Sequence, residues 1–179
     1  MRESASIESR IRTIPDHPKP GVLFRDITTL LQDAAGLRLC VERMVAPFGG
    51  ARIDKVAGIE ARGFILGGAI AHQLEAGFVP LRKPGKLPWR TIGQDYELEY
   101  GRDRIEMHED AVGAGEQILL VDDLIATGGT ARAAIRLLEQ VGARLVGVAV
   151  IVELPDLGGR ARVESMGHKL VSLVRFEGG

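Results

Sequence analysis

A chain of 179 residues with 45% hydrophobic and 26% charged side chains has the composition of a soluble globule with one real core. Its 23 basic and 24 acidic residues leave a net charge of -1, which excludes a global field for gripping nucleic acid or an anionic membrane. Cys40 stands alone, which excludes an internal disulfide. The stretch Met1 to Ile14 mixes Arg2, Arg10 and Arg12 with Glu3 and Glu8 and carries no apolar signal region. The apolar run Leu145 to Val152 is too short to span a bilayer. The expected location is the cytoplasm.

In chain order, the spacing Ile7, Ile11, Ile14 predicts a short amphipathic N-terminal helix, ended by the three prolines between Pro15 and Gly21. Leu37, Val41, Met44, Val45 and Phe48 repeat the helical period until Gly49-Gly50 stops it. An alternation follows: strand Lys55 to Ile59, helix Phe64 to Glu75, strand Phe78 to Leu81, strand Gln117 to Val121, helix Thr130 to Val141, strand Leu145 to Val152. Strand and helix in turn predict an α/β fold with a mainly parallel central sheet flanked by helices. The strands at Ile118 to Val121 and Val146 to Val152 are apolar without alternation, so both faces are expected to be covered. The segment from about 82 to 110 is more charged, and Tyr96 to Tyr100 followed by Gly101 reads as a polar hairpin projecting from the sheet as a hood. The 179 residues contain no internal repeat or linker, which predicts a single domain.

The most informative segment is Val121-Asp122-Asp123-Leu124-Ile125-Ala126-Thr127-Gly128-Gly129-Thr130, between a buried strand and a helix. Such a turn sits at the carboxyl edge of an open sheet, where these folds bind ligands. Small residues at Ala126, Gly128 and Gly129 let backbone N–H groups close around an anion, the hydroxyls of Thr127 and Thr130 add donors, and the helix N-terminus favours negative charge. A carboxylate pair before an anion site needs another partner, and the hydroxyls of a sugar attached to that anion supply one. The segment therefore reads as a ribose 5-phosphate cradle. A bare helix N-terminus explains Gly-Gly-Thr alone, but not the acidic pair. A P-loop is excluded because Gly-x-x-x-x-Gly-Lys-[Ser/Thr] is absent.

This string resembles the binding motif for phosphoribosyl pyrophosphate (PRPP) of the type I phosphoribosyltransferases. Further stretches resemble the adenine-specific members of that family, in their order: Pro20 to Thr28, Gly58 to Phe64, Arg82 to Pro88, Leu98 to Gly101 and Val152 to Leu154. The resemblance runs from about Pro15 to Phe176. It implies the type I fold with its hood and N-terminal helix, transfer of the phosphoribosyl group of PRPP to adenine with release of AMP and pyrophosphate, Mg²⁺ held mainly through PRPP and water rather than by protein ligands, and a homodimer. Nucleic acid and membrane are not expected partners.

The resemblance also implies roles for individual residues. Arg62, Arg82, Lys83, Lys86 and Tyr100 would meet the pyrophosphate, with Arg82 reaching across a dimer interface. Leu23, Phe24, Arg25 and Leu154 would hold adenine, Phe24 and Leu154 sandwiching the ring while main-chain groups near Arg25 read its edge. Glu99 would handle the purine proton as the glycosidic bond forms. A non-proline cis peptide is implied between Glu60 and Ala61. Without the resemblance, Phe24 and Leu154 read as core, Arg25-Asp26 as a surface ion pair, Arg82 to Lys86 as a solvated basic loop and Glu99 as a strand-face glutamate. The four histidines show no metal-ligand spacing, and Trp89, between Pro88 and Arg90, is expected to be exposed.

Two alternatives follow from the same motif. A phosphoribosyltransferase for another purine would share the PRPP string, but the Phe24 and Glu99 segments argue against it. A PRPP-binding regulator of DNA would need a helix-turn-helix, which the residues before Pro15 are too few to supply.

Overall fold

The structure, a computed structural model, describes residues 7–98 and 101–177. After helical Ile7 and Glu8 comes a two-stranded ribbon, β1 (Arg12–Pro15) antiparallel to β2 (Leu23–Asp26), followed by helices α1 (Thr28–Gln32) and α2 (Ala34–Val45). The Asp33 carboxylate caps α2 by accepting from the Ala35 N–H at 3.1 Å. Then come β3 (Lys55–Ile59), α3 (Arg62–Gln73), β4 (Gly77–Leu81), the hairpin strands β5 (Thr91–Leu98) and β6 (Gly101–His108), β7 (Gln117–Ile125), α4 (Gly129–Gln140), β8 (Arg144–Glu153), α5 (Gly159–Glu164) and β9 (Leu170–Arg175).

Five strands form one parallel sheet in the order β4-β3-β7-β8-β9. Successive side chains on a strand point to opposite faces, and here both faces are apolar. Ala57, Ile118, Leu120, Val148 and Val150 pack with α4, whereas Val56, Leu119, Val121, Ala149 and Ile151 pack with α2 and α3. That double burial is why these strands carry unbroken apolar runs. No helix among the described residues is long and apolar enough to cross a membrane.

Three expectations need correction. The N-terminal helix ends earlier than the Ile7, Ile11, Ile14 spacing predicts: Ile7 and Glu8 are helical, but Arg12–Pro15 is extended because it pairs with Leu23–Asp26. The strand expected to stop at Val121 runs on to Ile125, so Asp122 and Asp123 lie within β7. The hairpin forms a two-stranded sheet apart from the central one, as expected, but it is not polar throughout. Tyr96, Ile105 and Met107 are buried in the same core as α4, and Arg82 bridges Glu106 to tie β6 to the end of β4.

Candidate active site

The carboxyl ends of β3, β7 and β8 open onto three cavities. The first, about 160 Å³, is walled by Ile59, Asp122 and the loop from Ala126 to Thr130. Gly128 there takes a left-handed conformation (φ 76°) that only glycine adopts without strain, and it caps α4. The loop thus turns into the helix with Thr127, Gly128, Gly129 and Thr130 facing one space, as an anion cradle requires.

The second cavity, about 170 Å³, lies between the Glu60–Arg62 turn, Arg82, Lys83, Asp122, Asp123 and Thr130. The Glu60–Ala61 peptide is cis, as the resemblance implies. Glu60 organises the basic side of this cavity, accepting from Arg82 Nε at 3.1 Å and from the Lys83 N–H at 2.8 Å. Lys83 Nζ donates to the Tyr96 hydroxyl at 2.9 Å and to the Asp103 carboxylate. Arg82 Nη1 donates to the Lys86 carbonyl at 3.1 Å, while Lys86 itself is exposed and lies outside the cavity lining.

The third cavity is the largest of the three, about 400 Å³, and the most apolar in character, with Val22, Leu23, Phe24, Leu154 and Leu157 among its walls. Arg25 also lines it, but does not pair with Asp26. Its Nη1 donates to Thr13 Oγ1 at 2.6 Å and its guanidinium stacks 4.2 Å from the Phe176 ring centroid. Asp26 instead faces Arg12 at 3.5 Å and accepts from Thr28. The Phe24 ring is held edge-on by His17, with centroids 5.0 Å apart.

The cavities share walls. Asp122 and Thr130 belong to the first and second, Arg62 and Asp123 to the second and third. Arg62 Nε donates to the Asp123 carboxylate. Burial works against the Arg62 charge, but the Asp123 hydrogen bond and the nearby Asp122 and Asp26 carboxylates raise its pKa overall. Burial, and then the field of Asp123, push the Asp122 carboxyl well above the usual carboxylate range. A molecule with an anion at one end, a second anion beside its middle and a flat apolar group at the other end fits this junction.

Sequence reasoning placed Asp122, Asp123, the Ala126–Thr130 loop, Arg62, Arg82, Lys83, Leu23, Phe24, Arg25 and Leu154 in these walls, and the structure brings them together. Glu99 and Tyr100 lie outside the described residues. Missed were Glu60, Tyr96 and Asp103, which hold the basic residues, and Val22 and Leu157 in the apolar cavity. Asp103 was findable, since the hairpin register sets it opposite Tyr96. Trp89 is exposed, as expected.

The phosphoribosyl transferase domain family matches residues 38–170 of the chain. The adenine phosphoribosyltransferase of Maricaulis maris (strain MCS10) is 63% identical over 172 residues, which cover 96% of this chain and 98% of the relative. Among solved structures, that of the adenine phosphoribosyltransferase from Rhodothermus marinus DSM 4252 is similar with a TM-score of 0.93 and 48% identity, covering 98% of this chain and 99% of the other. The Saccharomyces cerevisiae enzyme, in complex with an iminoaltritol bisphosphate and adenine, matches with a TM-score of 0.90 and 33% identity, covering 97% and 99%.

Proposed function

We propose, for a chain that belongs to the adenine phosphoribosyltransferase family, how its own residues divide the reaction among the three cavities. The activity is transfer of the phosphoribosyl group of PRPP to adenine, giving AMP and pyrophosphate in purine salvage. The observation that carries the division is the sharing of Asp122 and Asp123 between adjoining cavities. A ribose resting over that pair puts its 5-phosphate on the loop Ala126–Thr130, its pyrophosphate toward Arg62, Arg82 and Lys83, and its anomeric carbon toward the apolar cavity.

In this reading the C1′–oxygen bond to pyrophosphate breaks as the purine N9–C1′ bond forms. Positive charge grows on the sugar while negative charge grows on the leaving group. Asp122 and the Asp123 carboxylate face the first, and Arg62, Arg82 and Lys83 meet the second. Lys86 and Tyr100 complete the side that meets the pyrophosphate. Adenine stacks between Phe24 and Leu154, with Leu23 at the rim and main-chain groups near Arg25 reading its edge. A carbonyl facing the 6-position rejects 6-oxo purines, because two acceptors would then oppose each other. Glu99 takes the N9 proton.

Among the described residues no three His, Cys, Asp or Glu side chains are grouped as a metal site requires, and Asp123 is already engaged by Arg62. Mg²⁺ carried on PRPP oxygens and water would supply charge neutralisation to the pyrophosphate. We read the 179 residues as one catalytic domain acting in the cytoplasm as a homodimer. Exposed apolar Ile65 on α3 and Phe78 on β4 are available for the interface, close in sequence to Arg62 and Arg82.

The test is release of AMP and pyrophosphate from PRPP with Mg²⁺ and a panel of bases. Adenine turnover at least about a hundredfold above hypoxanthine and guanine is expected from a hydrogen-bonding site that leaves polar groups unpaired with the wrong base. Comparable turnover of a 6-oxo purine would overturn the assignment of the base edge.

A further inference from the structure

The segment between β8 and α5 joins two of these cavities. Leu154 and Leu157 wall the apolar cavity, and two residues later Gly159 lies directly against the anion loop. A Cβ at Gly159 would stand 2.3 Å from the Ala126 carbonyl oxygen and 2.7 Å from Ile125 Cγ1, and one at Gly128 would stand 3.0 Å from Gly159 Cα. Backbone therefore meets backbone, and the loop has no slack on that side. The Leu154 N–H also donates to the Ile125 carbonyl at 3.0 Å, fixing the other end of the segment to β7.

The residues that close this segment are charged. Arg160 grips the Glu153 carboxylate with two parallel bonds, Nε to Oε1 at 2.8 Å and Nη2 to Oε2 at 2.6 Å. Arg160 also donates to the Leu170 carbonyl and to Ser172 Oγ on β9, and to Glu164 on its own helix. Glu153 is almost fully buried and accepts in addition from Ser172 Oγ at 2.5 Å and Arg175 Nε at 3.2 Å. None of these groups lines the three cavities. The bidentate pair thus binds the first turn of α5 to the carboxyl end of β8, and with it everything between residues 153 and 160.

We propose that Glu153 and Arg160 are positioning residues for the transfer reaction: their pair clasps residues 154–159 so that Leu154 and Gly159 hold the base cavity and the phosphate loop at one fixed separation. The two substrates must meet with C1′ and N9 in line, and misplacement by about 1 Å is enough to cost about a hundredfold in rate. A planar guanidinium fits the role because two parallel bonds fix an orientation as well as a distance, which an ammonium does not. The proposal rests on the assignment of Ala126–Thr130 to the 5-phosphate of PRPP.

The test compares Arg160→Lys, Arg175→Ala, Gly159→Ala and Thr130→Ala with the parent chain, using PRPP and adenine titrations, kcat and KM for each substrate, and thermal melts. Arg160→Lys keeps the charge but loses the fixed fork, so kcat should fall by about 10- to 100-fold and KM for PRPP should rise. Arg175→Ala removes a contact to the same carboxylate without touching the clasped segment. Its substrate constants should stay within about threefold of the parent, whatever its melting temperature. Gly159→Ala leaves both charges in place and pushes on Ala126, so it should weaken PRPP on its own, including where Arg160→Lys does not fold. Unchanged PRPP constants in a folded Gly159→Ala or Arg160→Lys would overturn the proposal, and so would equal losses in Arg160→Lys and Arg175→Ala. If Thr130→Ala leaves PRPP affinity unchanged, the phosphate assignment has failed instead.

Discussion

Arg62 and Asp123 form an ion pair where the base cavity meets the cavity beneath Arg82 and Lys83, and both residues line both spaces. In the division proposed above, the pair would keep a cation beside the leaving group and a carboxylate beside the sugar, so the two charges the reaction develops would be answered from one contact. Arg62→Lys removes the planar fork and should weaken PRPP by about 10- to 100-fold, the loss of one charged hydrogen bond of about 1.5 to 3 kcal/mol. Calorimetric titration of PRPP checks this, and equal affinities would take Arg62 out of the pyrophosphate site.

Asp122 makes a pH prediction. Its carboxyl is raised above the usual range by burial and by Asp123, so the folded chain binds that proton more tightly than the unfolded chain does. Stability then falls as the pH rises from the unfolded value near 3.8 through the folded pKa. Asp122→Asn removes this penalty. Between pH 4 and pH 8 its melting temperature should fall less than that of the parent, and parallel curves would contradict the assignment.

Glu153 carries the opposite sign. The Arg160 hydrogen bonds, opposed by burial and helped by Ser172, lower its pKa from 4.5 to about 2. Its contribution is fully present above pH 4.5 and is lost as the pH falls toward 2. Glu153→Gln should lower stability at pH 7 by roughly 3 to 5 kcal/mol, or roughly 6 to 20 °C in Tm, and flatten the acid limb. A variant with an unaltered acid limb would show that Arg160 does not hold the carboxylate in solution.

Glu99→Gln keeps size and loses basicity. If the carboxylate takes the purine proton, kcat should fall by roughly 10²- to 10⁴-fold while adenine affinity changes little. A rise in KM with kcat preserved would give Glu99 a binding role instead, and a single-turnover measurement keeps product release from hiding the effect.

The central sheet was legible because burial on both faces leaves runs such as Ile118 to Val121 with no polar residue, and the Asp-Asp to Gly-Gly-Thr string has chemistry that a plain turn does not need. The edges were less legible. β9 at Leu170–Arg175 and α5 at Gly159–Glu164 are short and partly polar, and β1 owes its extended form to pairing with β2 rather than to its own spacing. The hairpin read as polar because the segment from about 82 to 110 is rich in charge, whereas Tyr96, Ile105 and Met107 decide where it packs. The Glu153–Arg160 pair was invisible for a different reason. Its meaning lies in what Gly159 touches, and that contact exists only in three dimensions.

Calorimetric titration of PRPP into the double variant Asp122→Ala with Asp123→Ala, with circular dichroism confirming the fold, tests the placement of the ribose. Both carboxylates lie near the carboxyl end of β7 beside the cavities, so the sheet should survive their loss while the ribose loses its partners. PRPP affinity should fall by at least about thirtyfold, as the loss of one charged hydrogen bond at Asp123 and a second bond at Asp122 predicts. Unchanged PRPP affinity in the folded double variant would contradict the placement of the ribose and with it the division of the reaction among the three cavities.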